Sequence, residues 1–192
     1  PNAVTQFNQL THDRLDTPME PYPLKKVEIP SADLGNRGLL FAGIGWYTRL
    51  EFPYLNNIME QGEYVHIEKA GLKIYPEYGT YSDFNALPDS IFLYIADENN
   101  VVTDAVKDYL GKQVQGGKLV KDDLFLGNTY YYFDVTQFMK EELGASGKYK
   151  HNLQLVFNSD DYTKTLKNLT FSAPNGQNPI ILQLNYKIYE SY

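Results

Sequence analysis

Two kinds of residue in this sequence have the chemistry to hold a ligand: tyrosines at strand positions and acids gathered in loops. Tyr75, Tyr78 and Tyr81 sit just beyond one alternating segment, and Tyr130 and Tyr132 alternate along another. Sugar rings dock by stacking apolar C–H faces on such rings, while Asn, Asp, Gln and Arg supply directed hydrogen bonds. The plainer reading is that most of these tyrosines cover a sandwich, body buried and hydroxyl wet. The loops Asp97-Glu98-Asn99-Asn100 and Asn158-Ser159-Asp160-Asp161 offer clustered hard oxygen donors of the kind calcium takes. Asp97, Glu98, Asp160 and Asp161 are therefore candidate ligands of a structural calcium, although turns rich in Asp and Asn also form without a metal.

Catalytic patterns are weak, and the chain reads as not an enzyme. His12, His66 and His151 are isolated in sequence, so a zinc or iron site would need all its ligands gathered by the fold. Gly144-Ala145-Ser146-Gly147 lacks the spacing of a nucleophile elbow and follows a helix. Gly43-Ile44-Gly45 leads into a strand, where a phosphate cradle needs a helix N-terminus; a bend or bulge is the simpler role. A glycosidase needs two acids roughly 5–9.5 Å apart across a bound sugar. Glu51, Asp134, Glu141, Glu142, Asp160 and Asp161 are available, but Asp134 reads as a helix cap and Glu141 and Glu142 as a solvated helix face.

Composition limits the classes of partner. Seventeen Lys and Arg against twenty-four Asp and Glu give a net charge of -7, a field that repels phosphate backbones and speaks against nucleic acid. With no cysteine there is no disulfide, thiolate metal site or cysteine nucleophile. The 192 residues are 43% hydrophobic, their mean hydropathy is -0.43, and no apolar run approaches the length of a membrane-spanning helix. Seventeen Tyr, ten Phe, fourteen Gly and ten Pro favour strands joined by many turns.

The elements that would position these residues are legible as periodicities. Residues 1–37, with Pro18, Pro21, Pro23 and Pro30, read as an extended N-terminal arm or linker, with a short strand possible at residues 27–29; residues 38–192 form the domain. Alternation predicts strands at residues 44–52, 129–133, 153–157, 169–171 and 180–188, the last with Ile180, Leu182, Leu184, Tyr186 and Ile188 facing inward. Val65 and Ile67 alternate in one phase and Ala70, Leu72 and Ile74 in the other, which marks a β-bulge near Lys69. Residues 91–96 are apolar almost throughout, as in a strand covered on both sides. Short helices are predicted at residues 54–61, closed by Gly62; from Thr103 or Asp104 to Leu110, stopped by Gly111; and after Asp134, capped with Gln137 and closed by Gly144. Residues 116–123 fall in a long excursion and residues 158–161 in a loop. The sum is a mainly β fold, an antiparallel β-sandwich of jelly-roll type with two or three short helices.

The order of these segments resembles a known family. Residues 36–43 and 47–52, Val65 to Ile67, Lys69-Ala70-Gly71-Leu72-Lys73-Ile74-Tyr75, Tyr132-Phe133-Asp134-Val135-Thr136, Leu169-Thr170-Phe171-Ser172 and Asn178-Pro179 together resemble the surface jelly-roll family named after its Asp-Asn-Arg-Leu-Arg-Glu motif. The naming motif is absent here, and residues 97–128 depart from that family's Trp-containing segment. Arg49-Leu50-Glu51-Phe52-Pro53, Leu87-Pro88 and the Tyr-rich strand before Phe133-Asp134 are similar to the C-terminal half of a lipoprotein family of Gram-negative gut anaerobes, a domain of unknown function. The resemblance spans about residues 36–189. It implies a lipid-anchored precursor whose signal lies upstream of Pro1, a place at the cell envelope on the outer-membrane surface or in the secreted fraction, and a fold akin to carbohydrate-binding modules. It implies no known ligand and no known catalytic residues, so none carries over to this sequence. The expected function is thus a non-catalytic, envelope-exposed module that binds glycan; the alternatives are a structural or adhesive module pairing with an envelope protein through strand edges, and an envelope hydrolase.

Overall fold

The computed structural model describes residues 13–23, 28–60, 64–107, 111, 113–122, 128–146, 151–172 and 178–189. Among the described residues the strands are β1 Arg37–Phe41, β2 Thr48–Leu50, β3 Tyr64–Ile74, β4 Ser90–Ala96, β5 Val102–Ala105, β6 Gly116–Val120, β7 Tyr130–Asp134, β8 Asn152–Val156, β9 Asn168–Ser172 and β10 Ile181–Tyr189. The helices are α1 Asn56–Met59, α2 Thr136–Ser146 and α3 Ser159–Lys164. All pairings are antiparallel. One large curled sheet runs β10-β3-β7-β6-β4-β8-β2, with β5 beside β4, and β1 pairs with β9 in a separate ribbon. Leu40 of β1 with Leu169 and Phe171 of β9 share one apolar cluster with Leu72 and Ile74 of β3, Leu93 of β4, Phe133 of β7 and Leu155 of β8. The chain is therefore a mainly β, sandwich-like fold, as its alternation predicts.

β3 carries the bulge near Lys69. Asn185 pairs with Lys69 and Tyr186 with Ile67, leaving Glu68 without a backbone ladder partner on β10. The extra residue lets Val65 and Ile67 point inward before it and Ala70, Leu72 and Ile74 after it, all buried. Just past the bulge, the Thr136 hydroxyl oxygen accepts the Ala70 N–H at 2.9 Å, which ties the start of α2 to β3. On β10 the even residues Leu182, Leu184 and Tyr186 pack against the core, but Ile188, on the strand that ends the sheet among the described residues, is 41% exposed.

Several sequence expectations require correction. The helix from Thr103 or Asp104 to Leu110 is not formed: residues 102–105 pair with the edge of β4, and Lys107 bridges to Val114. β-branched residues beside an open strand edge satisfy more backbone groups as a ladder than as an isolated turn of helix. Residues 116–120 of the supposed excursion are strand β6, between β4 and β7. The strand expected at residues 44–52 shrinks to β2, because Gly43 and Gly45 take φ of 79° and 73° in a tight turn between Phe41 and Trp46. Residues 158–161 open α3: Asn158 Oδ1 accepts the Asp161 N–H at 2.7 Å. Asp134 holds the Thr136 N–H, not a capping box with Gln137, whose amide donates to Glu141, and α2 continues through Gly144 to Ser146. Glu28 and Ile29 are not strand; Val27 and Gly62 lie outside the described residues.

β6 can sit between its neighbours only because residue 117 is glycine. A Cβ there would overlap the ring of Phe133, which is wholly buried. Gly117→Ala should lower stability by about 1–3 kcal/mol in denaturant titration through overpacking. Gly144→Ala, with open space around its Cβ on α2, should raise it by about 1 kcal/mol. An unchanged midpoint for Gly117→Ala would mean β6 does not bridge the sheet.

Two phenols, buried Tyr131 and half-buried Tyr162, add a pH dependence. Tyr131 donates to the Pro88 carbonyl at 2.6 Å, and burial drives its pKa far above the usual value. Burial pushes Tyr162 up to about 12. A phenol held neutral in the folded state and ordinary in the unfolded one stabilises fully below pH 10.0; that contribution is lost as pH rises from there toward 12. Tyrosinate absorbance should therefore show these two residues silent at about pH 11, and urea midpoints should fall over the same range. Two extra phenols titrating in the native protein at the ordinary value would contradict the burial.

Candidate functional site

The outer face of the large sheet holds an open groove of about 660 Å³. Period-two alternation sends Tyr131 and Phe133 of β7 inward, so Tyr130 and Tyr132 face out; the same logic on β6 buries Gly117 and presents Gly116, Lys118 and Val120. On β3 the bulge puts Lys69, Gly71 and Lys73 outward, and β10 adds Gln183 and Asn185. The registers Lys73↔Tyr132 and Lys118↔Tyr132 place a tyrosine between two lysines in one transverse row.

Glycine shapes the floor. A Cβ on Gly71 would come within 2.9 Å of the Tyr132 hydroxyl oxygen and 3.0 Å of its ring, so this side chain lies across Gly71 instead of standing up from the sheet. Tyr130 packs on Tyr75, ring centroids 5.6 Å apart and tilted by 50°, and the Lys73 ammonium lies 5.0 Å from the Tyr130 ring centre. Such a cation–π contact is worth about 0.5–1 kcal/mol at an exposed site and orients the lysine. The arrangement can accept a flat ring with an apolar face, hydroxyls within reach of amide side chains, and negative charge beside it.

Of the tyrosines singled out by sequence, the fold brings Tyr75, Tyr130 and Tyr132 together. Tyr78 stands 69% exposed in the turn after β3, and half-buried Tyr81 follows it; neither lines the groove. Sequence reasoning missed Lys69, Lys73, Lys118, Gln183 and Asn185. The two lysines flanking Gly71 were visible as the outward phase of β3, whereas Lys118 was hidden in a segment not recognised as strand.

A second depression, about 680 Å³, lies between β2, the β4–β5 turn and the start of β8. Arg49 joins Glu28, Glu51 and Asn100 there. Asp97 Oδ1 accepts the N–H groups of Asn99 and Val101 at 2.9 and 2.8 Å, the geometry of a tight turn, and Glu98 is exposed. His151 Nδ1 meets Glu142, and Asn152 donates to the Asp97 carbonyl at 3.0 Å while its Oδ1 has no partner among the described residues. The candidate glycosidase acids are all engaged: Glu51 with Arg49, Asp134 with Thr136, Glu141 with Gln137, Glu142 with His151, Asp160 with Lys164 and Asp161 with Lys167. Among the described residues no group of three His, Cys, Asp or Glu side chains is placed to hold a metal ion, so Asp97 and Glu98 do not meet Asp160 and Asp161 in one such cluster. His66 is exposed on β3, and His12 lies outside the described residues.

Comparison with protein-family models, with curated proteins and with solved structures yields no match for this chain. Because the acidic loops serve as a turn and a helix cap, calcium should leave the melting temperature unchanged; a site filled to 100 times its Kd would instead add about 2.7 kcal/mol and raise it by several degrees. A rise of that size in millimolar calcium would show that these loops are metal ligands after all.

Proposed function

We propose that this chain is a non-catalytic saccharide-binding module of the cell envelope, carried by a lipid-anchored or secreted protein. The supporting observation is the groove in which Tyr132 lies over Gly71 between two lysines, with Tyr130 and the amides of Gln183 and Asn185 beside it. A reclining aromatic ring presents a face for stacking, and side-chain amides both donate to and accept from hydroxyls. The envelope assignment draws on the resemblance of segment order described above. On a glycan array, Tyr132→Ala and Tyr130→Ala should each lose about tenfold or more in apparent affinity, while Tyr78→Ala should match the native chain. Binding that depends on Tyr78 and ignores Tyr132 would overturn this placement.

A second reading draws on β10. Among the described residues no strand pairs with its outer edge, and Ile181, Ile188 and Tyr189 are exposed along it. Such an edge suits a partner's added strand. The same array separates the two: a flat response, with self-assembly or partner capture abolished by Ile181→Lys and indifferent to Tyr132→Ala, would favour strand addition.

A further inference from the structure

The groove carries a charge opposite to that of the chain. Against a net charge of -7, its lining includes Lys69, Lys73 and Lys118 and, among the described residues, no carboxylate. Adjacent strands lie about 4.8 Å apart, so Lys73 and Lys118 flank Tyr132 with Cα atoms about 10 Å from each other, and Lys69 lies about 13 Å along β3 from Lys73. None of the three forms an ion pair among the described residues, whereas Arg37, Arg49, Lys107, Lys164, Lys167 and Lys187 each hold a carboxylate. The nearest acids in register are otherwise occupied. Asp134, opposite Gly71, accepts the Thr136 hydroxyl at 2.5 Å, and Glu68 pairs with Lys187.

We infer that the groove selects acidic sugars: a carboxylated or sulfated oligosaccharide whose ring stacks on Tyr132 while its anionic groups meet Lys73 and Lys118. This rests on the saccharide reading above and adds the ligand class. An ammonium pair with a ring between them matches charges carried at intervals along a chain of sugar rings, and each charge-assisted contact is stronger than a neutral hydrogen bond. A long polyphosphate or nucleic acid would meet repulsion from the acidic remainder of the surface, which a short acidic glycan confined to the groove escapes.

Isothermal titration of the full chain against oligogalacturonate, chondroitin sulfate oligosaccharide, a neutral glucan and inorganic polyphosphate tests this. At least one acidic sugar should bind more tightly than the glucan, weaken about tenfold in Lys73→Gln and about a hundredfold in Lys73→Gln/Lys118→Gln, and weaken again in Tyr132→Ala. Binding by the native chain should also fall as salt is raised from about 0.05 to 0.5 M, a readout free of any folding defect in the variants. Glucan binding at least as tight as that of the acidic sugars, unaffected by the lysine changes, would overturn the acidic preference and leave the saccharide reading standing. No binding of any sugar would overturn both. Polyphosphate binding as tight as the acidic sugars and indifferent to Tyr132→Ala would replace the inference with nonspecific attraction of anions.

Discussion

The constraint on which the rest depends is the double ladder of β6. Its Lys118 pairs with Ser90 of β4 on one side and with Tyr132 of β7 on the other. Without this strand the large sheet would divide into β10-β3-β7 and β4-β8-β2, each with a new unpaired edge. The same ladder places Lys118 beside Tyr132, so sheet continuity and the chemistry of the groove come from one set of backbone hydrogen bonds. Glycine beneath an aromatic ring makes this possible: Phe133 lies on Gly117 inside the core, Phe171 on Gly38 between β1 and β9, and Tyr132 on Gly71 outside. In each place the absent Cβ lets a large ring lie close to a neighbouring strand.

Where the sequence could be read correctly, the information was local. The bulge at Glu68, the inward face of β10 through Tyr186, and β7, β8 and β9 follow from alternation within one segment, and β4 from its unbroken apolar run. The failures share a physical cause. β5 and β6 are short strands whose stability comes from pairing with β4 and β7, not from their own patterning, and Gly116-Gly117 has the composition of a turn until a partner ring is supplied. α3 was missed because Asn158 and the acids after it suit a cap as well as a loop. Tyrosines could be named as a group, but which of them share a face with Lys118 depends on the register of β6, and no local pattern encodes it.

The acidic loops acquire a structural meaning from β8. This strand is buried on both faces, and its outer face holds two polar side chains, Asn152 and Gln154, each only 4% exposed. Buried amides are costly unless bonded. The turn after β4 folds over them: Asn152 donates to the Asp97 carbonyl and Gln154 to the Asn100 carbonyl, both at 3.0 Å. Asp97 and Asn100 thus work mainly as turn formers and backbone acceptors, and Arg49 with Glu28 fastens the N-terminal segment over the same corner. Clustered oxygen atoms in a sequence are equally what a tight turn over a polar strand requires.

The bulge decides which residues become surface. Had β3 kept strict alternation from Val65 and Ile67, Lys69, Gly71 and Lys73 would point into the core, and Ala70, Leu72 and Ile74 would be exposed. Charged groups there would meet Phe133 and Ile91 with no counter-ion, at a cost far beyond that of leaving one ladder position unpaired. The extra residue, Glu68, reverses the phase, and its carboxylate also engages Lys187 of the facing edge strand. A single residue without a ladder partner thereby buries the apolar half of β3 and turns two lysines and the glycine under Tyr132 to the outer face. Core and groove are two faces of the same register shift, so a change that moves the bulge would alter stability and the shape of the groove together.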